Sequence, residues 1–410
     1  MVWPRLGSKW TAKSSPISPC MSLRRSTPSQ RKPRPRWSDP RTHGLSKGPA
    51  ETRGLLHFGR IFAAMRYYPF QIGGPRGCVG TSIGMYIGRE MYTPLTDPVR
   101  QRELFRQTVN RIEVETHSYC NRRCDYCPNV VGDRLGPNVR LKPAIWEKLM
   151  SNLSEVGYAG SFVLNSYNEP LYDRDILDRI ADARAAMPKA RIIIYTNGDY
   201  LTPSYVDDLA AAGLDYMHVS IHLKQGESYS DLYVLNRIAE IAHRTGLQAR
   251  FKQIRANDNI IARFDTPKLE VETRAINFAK HGNDRGGLLP DLSPENPRTD
   301  PCNFVFQHVH MGYTGNVVPC CHIRSDRPEH AKHVVGNLGQ AESIFDIFFG
   351  AKAAAWRRGL IHDRAKTGPC ATCSAPVVLS QKDWRAQLQS AYLRHVAPLE
   401  TAAAPVTSEH

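Results

Sequence analysis

The 410-residue chain contains no run of the roughly 18 to 20 consecutive apolar residues that a membrane-spanning helix requires, which excludes a helical transmembrane protein. Acidic residues are scarce at its N-terminal end. Residues 1–66 hold fourteen Lys or Arg against Asp39 and Glu51 alone, whereas the other 344 residues hold 40 basic and 37 acidic side chains. The net charge of +15 therefore belongs mostly to the first 66 residues, and the rest of the chain is nearly neutral. Phosphate recognition needs Lys and Arg gathered on a folded face, so nucleic acid is not an expected partner, and neither is a membrane. No apolar run follows Arg24 and Arg25, as a twin-arginine export signal requires, and no secretory signal is recognisable.

The N-terminal segment has eight prolines in 66 residues and clusters of Ser and Arg without periodicity. Such a composition cannot bury enough apolar surface to offset its conformational entropy, so residues 1–100 are expected to be disordered or poorly structured. Met65 and Met85 stand as alternative start positions. Beyond the tail, an apolar content of 41% is enough for a large domain and a smaller one.

Ten cysteines are present, and eight of them fall into two groups: Cys120, Cys124 and Cys127, then Cys302, Cys320, Cys321, Cys370 and Cys373. Clustering at short intervals, without a secretory signal, argues for metal ligation over a disulfide framework. Cys20 and Cys78 lie outside both groups.

Between the groups, strand and helix patterns alternate. Residues 111–115 read as a strand leading into the first cysteine loop. A helix follows from Pro143, with Ile145, Trp146, Leu149, Met150, Leu153 and Val156 on one face and Gly157 as its stop. Strand patterns recur at 162–164, 191–195, 216–221 and 250–254, and more weakly at 275–278, separated by helical patterns at 176–186, 205–212 and 232–243. This alternation predicts an α/β fold with a parallel sheet, open or closed into a barrel, and places chemistry at the strand C-termini. The residues there are Cys120, Tyr167, Asn168, Glu169, Thr196, Asn197, Ser220 and His222.

Three close thiolates can hold three irons of a cubane [4Fe–4S] cluster and leave the fourth iron open. With His117 as a fourth ligand the same loop would also serve a structural zinc ion. The run ETHSYCNRRCDYCPN at 115–129 resembles the C-x3-C-x-aromatic-C motif of the radical S-adenosylmethionine (SAM) enzymes, with Tyr126 as the aromatic residue. Asn168-Glu169-Pro170 is similar to that family's segment after the second strand, and Tyr195-Thr196-Asn197-Gly198 to the one after the third. Ser166-Tyr167 departs from the glycine often found there. The resemblance implies a partial (β/α)6 barrel, SAM chelated to the open iron, and reductive cleavage to a 5′-deoxyadenosyl radical that takes a substrate hydrogen. It further implies that Glu169 accepts a hydrogen bond from the methionine nitrogen of SAM, with Tyr126 near the adenine and Asn168, Asn197 and Ser220 as further cofactor contacts.

The second group reads C-x12-G-x4-C and then C-x2-C, from Cys302, Gly315, Cys320, Cys370 and Cys373. Four thiolates close the coordination of one cluster, and a four-cysteine zinc ribbon would use the same spacing. The pattern resembles the C-terminal "twitch" module, a shortened SPASM domain, and no cysteine follows Cys373, so one auxiliary [4Fe–4S] cluster is expected. Cys321 reads as a small buried residue, and His308, His310, His322, His330 and His333 mostly as turn or surface residues. The expected organisation is a barrel over 108–295, the auxiliary module over 300–380, and a helix and tail over 381–410.

The expected reaction is dehydrogenation of a small polyol, cyclitol or amino sugar, with one electron passed to the auxiliary cluster. Candidate bases are His281, Asp284, Arg285, Lys252 and Arg255, with Arg285 matching an arginine that related twitch dehydrogenases hold near the substrate. The alternatives are a peptide or protein maturase and a non-catalytic zinc protein. Open clusters oxidise readily, which implies a cytoplasmic site and a ferredoxin or flavodoxin as electron donor.

Overall fold

In the computed structural model, residues 85–376 and 383–403 are described. Most of the basic N-terminal segment, with Cys20, Cys78 and Met65, lies outside them. The expected poorly structured segment ends sooner than residue 100: Met91 and Tyr92 are fully buried, and helix α1 (Pro98–Thr108) is already formed, capped by the Asp97 carboxylate.

Six parallel strands form the centre of the sheet. β1 (Arg111–Val114), β2 (Ser161–Val163), β3 (Arg191–Thr196) and β4 (Tyr216–Ser220) follow one another, with β7 (Glu270–Ile276) beside β4 and β8 (His308–Met311) beside β1. The full order is β10-β9-β8-β1-β2-β3-β4-β7-β6-β5. The edges are antiparallel, made by β5 (Ala249–Arg255) and β6 (Asn259–Phe264) on one side and by β9 (Asn316–Val318) and β10 (Gly336–Asn337) on the other. This is the partial barrel that the family resemblance implies.

One expectation is corrected. The strand at 250–254 does not extend the parallel sheet from β4; it turns back at Asn257, which adopts φ +53, and pairs antiparallel with β6. β7 takes the place beside β4, so the pattern at 275–278 is only the end of a longer strand, and Phe278 begins a one-turn helix capped by the Asn277 side chain. β7 alternates in burial along its length whereas β5 slips register at a bulge between Phe251 and Gln253, and sequence spacing cannot tell which of them meets β4.

Helices α2 (Pro143–Glu155), α3 (Ile176–Ala186), α4 (Pro203–Ala211) and α5 (Asp231–Thr245) link the central strands. Pro143 occupies the first turn of α2, where its missing N–H costs nothing. Ser230 caps α5, and Gly246 ends it with the left-handed φ of +69 that glycine adopts without strain. The strands have two chemically distinct faces, because successive side chains alternate. Ile112, Val114, Phe162, Ile192, Ile194, Met217 and Val219 pack outward into the core formed with the helices. The opposite face carries Arg111, Glu113, Arg191, Tyr195, His218, Glu272 and His310 around a small patch of Val163, Ile193 and Tyr216. The core is thus a layer outside the barrel, and the inside is polar.

Past β8 the chain forms a hairpin turned by Gly315 at φ +81 and reaches Cys320. It then packs α6 (Ile344–Phe348) and α7 (Ala351–Leu360) before Cys370 and Cys373. Two helical stretches, Trp384–Ala391 and Ala397–Ala403, follow. Among the described residues no helix is long and apolar enough to cross a membrane.

Candidate cluster and cofactor site

β1 delivers the first cysteine loop to the C-terminal edge of the sheet. The loop is held by its backbone, with Cys120 N–H donating to Arg134 O at 2.9 Å and Cys127 N–H to Cys124 O at 2.9 Å. Burial pushes the Cys120 and Cys124 thiols up to about 12, and the neighbouring Cys127 sulfur adds to both. Buried thiols that resist ionisation without a cation are suited to a cationic iron site, whose binding releases their protons.

Next to Cys120, Glu169 ends the β2 segment and is 2% exposed. Its carboxylate accepts from Leu171 N–H at 3.1 Å, Thr196 Oγ1 at 2.5 Å and Asn197 N–H at 2.7 Å. Burial outweighs these bonds and pushes Glu169 up to about 7. Asn168 is also buried, and its Nδ2 has no hydrogen-bond partner among the described residues. An unpaired buried amide on the residue before Glu169 has the character of a ligand contact, since such groups are otherwise nearly always satisfied. The Asn197 side chain donates to Asn121 Oδ1 at 2.8 Å. Tyr126 stacks on Phe278 with ring centroids 3.8 Å apart, and its hydroxyl meets His222 Nδ1 at 2.9 Å. Ser220, at the end of β4, lies across from Arg274 of β7.

The second group also converges. Cys302, Cys320, Cys370 and Cys373 line one small cavity together with Arg298, Pro319, His322 and Trp356. Burial raises the Cys302, Cys320 and Cys370 thiols. Arg298 Nη1 and Asn283 Nδ2 each lie 3.8 Å from Cys373 Sγ, as donors that would stabilise a thiolate ligand. Among the described residues no three side chains of His, Cys, Asp or Glu converge to ligate a single metal ion; the four thiols of the second group surround a space instead. Cys321 is half-buried beside this cavity, and its carbonyl accepts from the Tyr167 hydroxyl at 2.5 Å.

Of the candidate bases, Arg285 alone reaches the space between the two groups. It is held at φ +52, its Nη1 lies 3.3 Å from His322 Nδ1, and its Nε is buried without a hydrogen-bond partner among the described residues. Tyr167, Cys321, Cys127 and Glu113 all interact electrostatically with it. His281 instead pairs with Asp258 at an exposed site, and Lys252 pairs with Glu272 at 2.9 Å. Asp284 is fully buried but anchors its loop, bonding Thr372 and Gly286 N–H. Arg255 is exposed at the end of β5.

The expectation for the histidines is corrected in part: His322 and His333 lie in turns, but none of the five is exposed. His308 and His310 lie on β8, which the sequence reading left unassigned, and His330 is buried with its Nδ1 accepting from Arg324 N–H at 3.0 Å.

Two groups of residues went unrecognised in the sequence. Asp199 holds Arg122 by paired bonds of 2.6 and 2.7 Å and also binds Arg237, tying the cysteine loop to α5. Arg134, 3% exposed, bonds Glu115 at 2.9 Å, Ser118 O at 2.8 Å and Asp326 at 3.0 Å, which links β1, the first cysteine loop and the segment after Cys321. Nothing in the sequence but the position of Asp199 directly after the Thr-Asn-Gly segment hinted at either.

Comparison with known proteins agrees with this arrangement. Residues 114–238 match the model of the radical SAM superfamily, and residues 302–374 match that of the SPASM iron–sulfur cluster-binding domain. The chain is 27% identical over 274 residues to the S-adenosyl-L-methionine-dependent 2-deoxy-scyllo-inosamine dehydrogenase of Niallia circulans, covering 67% of this chain and 96% of that protein. It is 30% identical over 131 residues to a probable GTP 3′,8-cyclase of Methanopyrus kandleri, covering 32% of this chain and 40% of that one. Among solved structures, BtrN in complex with AdoMet and 2-DOIA aligns with a TM-score of 0.49 at 25% identity, over 67% of this chain and 96% of BtrN. Streptococcus suis SuiB bound to its precursor peptide SuiA aligns with a TM-score of 0.35 at 10% identity, over 74% of this chain and 78% of SuiB. With both family models falling on the two cysteine groups, the chain is a radical SAM enzyme with a C-terminal SPASM domain, a combination that takes SAM and two [4Fe–4S] clusters.

Proposed function

We propose that this enzyme oxidises a secondary alcohol of a small polyol, cyclitol or amino sugar to a carbonyl. The observation that carries this reading is the polar space between the two cysteine groups, where Arg285 interacts electrostatically with both Glu113 and Tyr167. A hydroxylated small molecule finds donors and acceptors there, which an apolar substrate would leave unpaired. The likeness to a 2-deoxy-scyllo-inosamine dehydrogenase supports the same substrate class.

Cys120, Cys124 and Cys127 would hold the SAM-binding cluster, and Cys302, Cys320, Cys370 and Cys373 the auxiliary one. With these bound, the site has a 5′-deoxyadenosyl radical to take the carbinol hydrogen atom and an oxidised cluster to take one electron. The chain's own residues orient the reactants. Glu169 accepts from the SAM nitrogen, Asn168 supplies its free amide, Tyr126 lies against the adenine, and Asn197 and Ser220 complete the cofactor contacts. Arg285, permanently charged, donates to the substrate oxygen. A low-potential ferredoxin or flavodoxin in the cytoplasm supplies the initiating electron.

The test is anaerobic reconstitution followed by reaction with SAM, dithionite and 2-deoxy-scyllo-inosamine. One ketone per 5′-deoxyadenosine is expected, with about eight irons per chain falling to about four in the Cys120, Cys124, Cys127 triple Ala variant. Failure of cyclitols and amino sugars alike to give a ketone refutes the substrate class.

A further inference from the structure

His310 stands on β8 opposite Glu113 of β1 in the parallel register, on the inner face of the sheet. It is 4% exposed, yet neither ring nitrogen has a hydrogen-bond partner among the described residues. Buried polar atoms are nearly always paired, so an imidazole with two unused nitrogens facing a polar lumen points to a ligand. Its Nδ1 lies 3.9 Å from Glu113 Oε2, beyond a hydrogen bond but close enough to form one with a small ring movement. Catalytic hydrogen bonds are often this long before substrate binds.

The surroundings favour a neutral ring. Arg111 reaches Glu113 at 3.2 Å, His308 lies 5.8 Å away ring to ring, and Arg285 adds a second positive charge on the same space. Burial and Arg111 lower the imidazole to about 3, so it is uncharged at neutral pH. A neutral imidazole has one N–H and one lone pair. With Nδ1–H directed to Glu113, the lone pair is on Nε2.

Resting on the dehydrogenase reading, we propose that His310 Nε2 accepts the hydroxyl proton of the carbinol being oxidised, while Glu113 acts as a positioning residue on Nδ1. The step balances. The C–H bond is lost as a hydrogen atom to the 5′-deoxyadenosyl radical, and the O–H proton forms a new N–H bond at His310. The single electron left on the carbon–oxygen unit passes to the oxidised auxiliary iron–sulfur cluster, leaving a carbonyl. Glu113 offsets the positive charge that the ring acquires, the same logic by which a carboxylate supports a catalytic histidine elsewhere. Arg285 is unsuited to this role because its guanidinium stays protonated.

The test uses anaerobic enzyme with both clusters, SAM, dithionite and 2-deoxy-scyllo-inosamine as the probe. In His310→Gln and His310→Phe, 5′-deoxyadenosine is expected to form within about threefold of the wild-type rate while ketone falls at least tenfold, a conservative fraction of the ~100- to 10,000-fold that a general base contributes. The ratio of 5′-deoxyadenosine to ketone, near one in wild type, then rises above about three. Gln keeps the size and hydrogen bonding of the ring without its basicity, so it separates proton transfer from packing. Calorimetric titration of the unreduced, SAM-loaded enzyme with the same amine should show affinity reduced by less than about tenfold, the value of one hydrogen bond. Iron content certifies that each variant is folded, and either variant suffices. A ratio that stays near one overturns the role of His310 and leaves the dehydrogenase reading standing. A wild-type enzyme that makes no ketone from this probe or from related cyclitols overturns that reading instead.

Discussion

Replacing Arg134 with Met should destabilise the enzyme by roughly 3–5 kcal/mol, the cost of removing one partner from a buried ion pair. Met keeps the length of the apolar stem and deletes the guanidinium. Glu115, 3% exposed, then retains only the Tyr167 N–H at 3.0 Å, while Ser118 O loses this donor and Asp326 keeps only Arg324. The cost is large because the Glu115 carboxylate cannot recover water without opening the junction between the first cysteine loop and the segment after Cys321. Glu115→Gln removes the stranded charge, so the double variant should recover about 2 kcal/mol relative to the sum of the single changes. Urea denaturation, followed by tryptophan fluorescence and by loss of cluster absorption, reads this directly. With a slope of about 3 kcal/mol per molar, the Arg134→Met midpoint should fall by about 1–1.7 M. A shift below about 0.2 M, or strict additivity in the double variant, refutes the idea that this network joins the two cluster regions.

Other predictions follow from single residues. Glu169 is raised from 4.5 to about 7 by burial, so the folded chain holds a proton that the unfolded chain releases. Its contribution is fully present below pH 4.5 and is lost as pH rises through 7, roughly 3 kcal/mol in all; wild type should lose stability over that window relative to Glu169→Gln, and parallel pH profiles would contradict it. Gly198, at φ +74, would place a Cβ 2.7 Å from Val219 Cγ1, so Gly198→Ala should cost about 2–4 kcal/mol and weaken SAM binding in calorimetry. Gly315→Ala, at φ +81 with Ile145 Cδ1 2.9 Å from the new Cβ, should lower the iron retained at the auxiliary site while sparing the first cluster, which Mössbauer spectra of the two sites would resolve.

What was legible in the sequence was local. Helix α3 spans the residues that its apolar spacing indicates, because a 3.6-residue period and a strand at each end leave one solution. Cys120, Cys124 and Cys127 are legible as metal-ligand candidates by type and interval, and a family resemblance singles out Asn168-Glu169 and Thr196-Asn197, which the sheet brings together through a 2.7 Å bond. The sheet order was not local. The segments of β5 and of the end of β7 both read as strands, and only packing decides which lies beside β4.

The sequence by itself determined two cysteine groups able to hold metal and the alternation of strand and helix, since both depend on residue type at short spacing. Tertiary structure alone decided what lies inside. It turned His308 and His310 inward, set His310 opposite Glu113 across two strands almost 200 residues apart, and brought Arg285 to the space between the cysteine groups. A histidine in sequence has no side; its place in the β8 register assigns one, and its lack of a partner appears only when every neighbour is in position.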